Sequence, residues 1–173
     1  MATLLGKHIN LRALEPADLD FLFSIENNED NWEISGTQLP FSKHILLQYI
    51  ENAHQDIYEA KQYRFVICNE EDTPIGLIDL FDFNPQHKRV GIGILILPKH
   101  QNKGYASEAL EMVIEYAFNY LNVHQIYANI ISTNLKSIAL FEKNNFKKVG
   151  IKKDWLYLNS SFKDEILYQL INN

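Results

Sequence analysis

The sequence predicts an α/β protein built on one mixed sheet, and three observations carry that prediction. Ala106, Ala109, Leu110, Val113, Ile114, Ala117 and Leu121 recur at three- and four-residue spacing, the mark of an amphipathic helix. Short runs rich in β-branched and aromatic residues stand on both sides of it. One of them, 90–97, is almost wholly apolar, as a strand covered on both faces must be. The chain has 173 residues, of which 46% are hydrophobic and 22% charged, enough for a substantial core without staples.

The elements follow in order. Residues 7–14 alternate and read as a strand. Pro16 suits the first turn of a helix, where its missing N–H costs nothing, and Leu19, Leu22, Phe23 and Glu26 follow at helical spacing. Residues 27–40 read as irregular and polar, and 41–54 as a second helix. Strands are expected at 63–68, 75–83 and 90–97, with a turn at 72–76. After the long helix, 125–131 reads as a strand and Asn134 as the N-cap of a short helix through Asn144. Residues 146–149, 155–158 and 165–170 close the sheet, and Trp155 is assigned to core packing. The result is about seven strands flanked by about four helices. At roughly 150 residues per domain, residues 1–173 form one domain.

Composition excludes several classes of function. One cysteine, Cys68, forbids an intrachain disulfide framework. The six histidines show no metal-ligand spacing, so no metal is expected. A net charge of −6 argues against nucleic acid. No apolar run approaches the roughly 20 residues of a bilayer span, and the N-terminus lacks the marks of a signal peptide, so a cytoplasmic protein with no membrane partner is expected. The charge is uneven. Residues 1–60 hold 3 basic and 10 acidic side chains, whereas 133–153 carries six lysines and one glutamate.

The segment most suggestive of chemistry is 90–106. A buried strand runs through a short loop, 98–103, into Gly104 and the long helix. The first N–H groups of that helix have no internal partners, and the helix dipole adds partial positive charge there. Such an end holds a phosphate by backbone contacts alone. Gly104 permits a close approach or a positive φ, and Ala106 leaves room beside it. A dinucleotide fingerprint is excluded, because Gly91 and Gly93 lie within a strand and Ile96 occupies the third glycine's place.

These residues also carry a resemblance. Gln101-Asn102-Lys103-Gly104-Tyr105-Ala106 resembles the Gln/Arg-x-x-Gly-x-Gly/Ala signature of the GNAT N-acetyltransferase superfamily. The stretch from Asn134 to Phe146, with Ser137, Phe141, Glu142 and Lys143, resembles that family's Asn-x-x-Ser-x-x-x-Tyr-Glu-Lys-x-Gly-Phe segment. Arg64, Gly76, Asp79, Asp82 and Asn84 fall in stretches similar to the bacterial polyamine N-acetyltransferases and the ribosomal-protein acetyltransferase group. The resemblance implies a single-domain GNAT fold with a mostly antiparallel sheet. It implies acetyl-CoA as cosubstrate and a primary amine as acceptor, a small cationic polyamine first and a protein N-terminus or lysine second. A CoA-binding module without catalysis is the alternative of another class, and a homo-oligomer is implied by the polyamine relatives.

Residue by residue, the resemblance implies that Gln101, Asn102, Lys103, Gly104, Tyr105 and Ala106 hold the pyrophosphate. Ile94, Leu95 and Ile96 pair with the pantetheine arm, and Asn134 contacts it. The main-chain N–H near Leu95 is the expected oxyanion donor. Phe141 stands where the family's tyrosine acid would be and has no hydroxyl; Tyr105, Tyr157 and Ser137 are the alternative donors, with water another. Asp79, Asp82 and Glu33 are the candidates for the acceptor side, the two aspartates also for the base, and Glu26, Glu29 and Asp30 are further acids nearby. Strict alternation sends Asp79 and Asp82 to opposite faces unless a bulge intervenes.

Overall fold

The computed structural model describes residues 4–173. Seven strands form one sheet in the order β1-β2-β3-β4-β5-β7-β6. β1 (Ile9–Arg12), β2 (Tyr63–Asn69), β3 (Pro74–Asn84) and β4 (Arg89–Ile96) run antiparallel in succession. β5 (Gln125–Ile131) is parallel to β4, while β7 (Ser161–Ile171) and β6 (Lys147–Leu158) complete an antiparallel second half.

The near-continuous apolar runs are explained by two cores, one on each face. Val66, Cys68 and Leu77 pack against Leu22 and Ile25 of α1 (Leu19–Glu26) and Leu46 and Ile50 of α3 (Lys43–Glu51). Phe65, Ile67, Ile78 and Leu80 of the same strands belong to the other core. That core also holds Leu110, Val113 and Ala117 of α5 (Tyr105–Asn119) and Phe141 of α6 (Leu135–Lys143). The period of two along each strand thus serves two layers of helices. α1 is anchored by Arg12, whose guanidinium donates to both oxygens of the buried Asp18 at 2.7 and 2.8 Å.

Six helices flank the sheet among the described residues, two more than expected. The first addition corrects the reading of 27–40 as irregular. α2 (Glu29–Ser35) forms there because the Asn28 side chain accepts the Asp30 N–H and Gly36 at φ 73° ends the last turn. None of its residues is buried, so it has no apolar stripe to signal it. The second is α4 (Ile57–Ala60), a single turn capped by the Asp56 side chain. The two closing strands expected at 146–149 and 155–158 are one strand, β6, broken by two register shifts. Trp155 lies in its second half and is 59% exposed, which corrects its assignment to the core. There it stacks under Lys152 Nζ, 4.9 Å from the ring. No helix among the described residues is long and apolar enough to cross a membrane.

One feature of the sheet places the site. β4 and β5 pair over only three residues, Arg89–Gly91 with Gln125–Tyr127. Beyond them the two strands part, and the rest of β4 presents an open edge.

Candidate active site

Two hollows meet at this parting. The first, a loop cleft of about 560 Å³, lies between the end of β4, the 98–104 loop and α6. Ile94, Leu95, Ile96, Gln101, Asn102 and Gly104 line it, with Tyr105, Ala106 and Asn134 completing the wall. Its geometry is mainly backbone geometry. Asn102 at φ 61° and Gly104 at φ 85° both adopt the left-handed region, turning the chain sharply into α5. A Cβ at Gly104 would point into open space, so glycine is needed for its φ and leaves the helix end bare. Gln101 is not a free side chain: it donates to the Ile96 carbonyl (3.0 Å) and accepts from Lys136 Nζ (3.2 Å). Lys136 and Lys143 line the cleft, whereas Lys103 does not. His100 also lines it, its Nε2 buried without a partner among the described residues. Partial burial, then the charges of Lys99 and Lys103, push the His100 pKa down.

The open edge of β4 corrects one expectation. The Leu97 N–H donates to the Ile75 carbonyl at 2.9 Å, and the Leu95 carbonyl lies against Gly76, where a Cβ would meet it at 2.4 Å. The Ile96 carbonyl instead faces Gln101. Main-chain groups of a strand alternate between its two edges. Leu95 is therefore turned toward β3, and the groups on the open edge are those of Ile94 and Ile96. The candidate oxyanion donor moves from Leu95 to its neighbours.

The second hollow, an acidic cavity of about 700 Å³, lies between α1, α2, α3 and the strands. Glu26, Glu33 and Asp79 line it, with Arg64, Tyr49 and Phe81. Arg64 and Asp79 stand opposite each other across the β2–β3 ladder. The Arg64 guanidinium donates to both Asp79 oxygens (2.7 Å each) and to Glu26 Oε1 (2.6 Å), and its Cζ lies 5.6 Å from the Tyr49 ring centre. Burial opposes the charge on Arg64, yet Asp79, Tyr49 and Glu26 outweigh it and hold the guanidinium pKa above its ordinary value. Burial raises the Tyr49 pKa, which Arg64 partly offsets. Glu165 also lines the cavity and is paired with Lys152.

Asp82 lies outside both hollows. β3 does bulge between Phe81 and Asn84, and Asp82 at φ 48° occupies the bulge, exposed, accepting from the Tyr127 hydroxyl at 3.2 Å. The Tyr127 pKa is pushed up to about 12 by burial and by the Asp82 charge. The bulge allows both aspartates toward one face, but only Asp79 reaches the cavity. Phe141 lines the acidic cavity rather than the loop cleft, 3% exposed and edge-on to Phe146.

The hollows share four residues: Ile34, Ile94, Asn134 and Ser137. Asn134 caps α6 by accepting the Ser137 N–H at 3.2 Å. Among the described residues, Ser137 is the only hydroxyl-bearing one common to both walls. Tyr105 lines the loop cleft alone, and Tyr157 is 65% exposed on the β6–β7 hairpin against Phe162. Tyr49 and Glu165 were not read from the sequence, because each lies on an element far in sequence from the signature loop. Arg64 and Asp79 had one readable signal, an opposite-charge pair placed by the hairpin register.

Comparison with known proteins fits these features. A family model described as an acetyltransferase (GNAT) domain matches residues 8–147. A spermidine N(1)-acetyltransferase from Vibrio cholerae is 30% identical over 160 residues, covering 92% of this chain and 91% of that protein. The crystal structure of spermidine N-acetyltransferase from Vibrio cholerae with CoA and spermine superposes with a TM-score of 0.86 at 28% identity, over 94% of this chain and 95% of that one. A dodecameric structure of that organism's enzyme in an intermediate state gives 0.79 at 30% identity, over 94% and 93%. The loop cleft suits acetyl-CoA: a bare helix end for phosphate, two lysines, an open strand edge and an orphaned ring nitrogen. The chain belongs to the GNAT family and is an N-acetyltransferase that uses acetyl-CoA.

Proposed function

We propose that the acceptor is the primary amine of a small polycation of the spermidine kind. The observation that carries this reading is the acidic cavity, where Glu26, Glu33 and Asp79 line a hollow that opens into the loop cleft between β4 and β5. Desolvated ammonium groups need carboxylate partners, and the similar spermidine N(1)-acetyltransferase supports the same class of acceptor.

Acetyl-CoA supplies the acetyl group as an activated thioester. The remaining work falls to the chain. The N–H groups at the start of α5 and the turn through Gly104 meet the pyrophosphate. A main-chain N–H on the open edge of β4, from Ile94 or Ile96, meets the oxygen on which negative charge develops. Glu26 and Asp79 draw in the cation. An alkylamine has a pKa of about 10.4, so the attacking nitrogen must first shed a proton, which passes to solvent. Ser137, where the hollows meet, passes a proton to the departing sulfur and takes in its place the one the nitrogen loses once it has bonded to the acyl carbon. A thiol pKa of about 8.5 makes that help useful but not essential. Ser137→Ala is therefore expected to lower kcat about 10- to 100-fold, near the lower end of general-acid effects, with the acetyl-CoA KM little changed. Oligomers of this chain are expected, in line with the dodecameric relative.

The test is a thiol-release assay with acetyl-CoA and a panel of amines. Turnover of spermidine or spermine is the expected result. Turnover of peptide N-termini alone would replace this reading with the protein-acceptor one.

A further inference from the structure

The Glu26–Arg64–Asp79 cluster does more than hold α1 to the sheet. It consists of two carboxylates and one guanidinium on the wall of the acidic cavity. The side chains of Glu26, Arg64 and Asp79 are 15%, 20% and 31% exposed respectively, so their charges are only partly screened. Glu33 is the third acid on that wall. Glu165 is the fourth, and Lys152 offsets it. Three carboxylates against one guanidinium leave the cavity with two uncompensated negative charges.

We propose that Arg64 determines acceptor choice by setting that number. The inference rests on the polyamine reading above. A linear triamine whose attacking nitrogen is neutral carries two positive charges, which match the cavity. A tetraamine in the same state carries three and a diamine one. Without Arg64 the cavity would hold three negative charges and suit the tetraamine. The fork geometry adds a second function, since both Asp79 oxygens and Glu26 Oε1 are occupied by N–H donors and held in place. Selection by charge count works against the wrong ligand as well as for the right one, because an excess or a shortage of ammonium groups leaves one charge unmatched at low exposure.

The experiment compares kcat/KM for putrescine, spermidine and spermine in the wild-type protein and four variants. Arg64→Met is expected to raise the spermine-to-spermidine ratio about tenfold, one unmatched charge being worth roughly that much at such depth. Arg64→Lys keeps the charge while losing the fork, and should lower both values yet leave the ratio within about twofold. Glu26→Gln moves the count the other way and should favour putrescine over spermidine about tenfold relative to wild type. The double variant Glu26→Gln/Arg64→Met restores the count and should bring the ratio back. If Arg64→Met fails to fold, Arg64→Lys and Glu26→Gln still decide the matter. Equal losses for all three amines, with ratios unchanged, would overturn the inference and leave Arg64 a structural residue. A wild-type protein that acetylates none of the three would instead overturn the polyamine reading itself.

Discussion

The loop cleft and the acidic cavity are built from different materials. The cleft is made of main chain: a bare helix end, two left-handed residues and an unpaired strand edge. The cavity is made of side chains drawn from α1, α3, β2 and β3, joined by ion pairs. A backbone site constrains a short contiguous stretch, because the turn that shapes it must contain particular residues at particular steps. A side-chain site constrains scattered positions that meet only after folding. The first therefore tolerates change in most side chains and the second in almost none, and the two should respond differently to substitution.

The largest effect is expected at the one side-chain position where the cleft is strict. Gly104→Glu would combine a strained φ of 85° with a carboxylate facing the phosphates. The KM for acetyl-CoA should rise more than about 100-fold, as read from initial rates at saturating amine, corresponding to roughly 2.7 kcal/mol. Unchanged affinity would show that the phosphates lie elsewhere. Next in size is the converse change, Asp79→Asn. It leaves Arg64 short of a partner and should lower kcat/KM for the amine by about 100-fold while leaving CoA affinity within about twofold by calorimetry. A parallel loss for both substrates would erase the distinction between the two regions.

A control outside both hollows comes third. Asp18 is buried at the start of α1, and among the described residues its cation is Arg12. Asp18→Asn should cost about 3 kcal/mol of stability in urea titration, with kcat of the folded protein unaffected. Burial works against ionisation of this carboxyl, but the Arg12 and Glu15 hydrogen bonds prevail and its pKa lies below the usual carboxylate value. The sign follows from that depression. The stabilisation is full above the unfolded pKa of about 3.9 and disappears as pH falls through the lower folded value. Wild type and variant should therefore converge in stability only in strong acid. The smallest expected change is ionic. Raising salt from 0.05 to about 0.5 M should weaken amine capture several-fold more than acetyl-CoA binding if carboxylates dominate the cavity.

What the sequence made legible divides along the same line. Gln101 to Ala106 and Asn134 could be placed because a glycine turn, a helix start and an N-cap are local events. Most strand and helix positions followed from periodicities that are local too. α2 was missed because Glu29–Ser35 buries nothing, and only its cap residues Asn28 and Gly36 announce it. Leu95 was chosen for a role its alternation denies it, since one residue of register decides which edge a strand's N–H faces. Glu26, Arg64 and Asp79 are 38 and 15 residues apart in pairs, and nothing short of the folded register shows that one guanidinium joins them. The uneven charge gains meaning only in this frame: Glu26 and Glu33 of the acidic first third line the cavity, and Lys136 and Lys143 of the lysine-rich stretch line the cleft.

The two hollows share Ile34, Ile94, Asn134 and Ser137 at the parting of β4 and β5, so that one bound chain of atoms can occupy both. A conjugate of CoA joined through its sulfur and a short acyl spacer to one terminal nitrogen of spermidine tests this directly. Calorimetry should show it binding at least about 1,000-fold tighter than CoA alone, because the second contact becomes intramolecular. Binding no tighter than CoA, with the spermidine portion still free to be captured by other proteins, would mean that the two hollows do not form one continuous site.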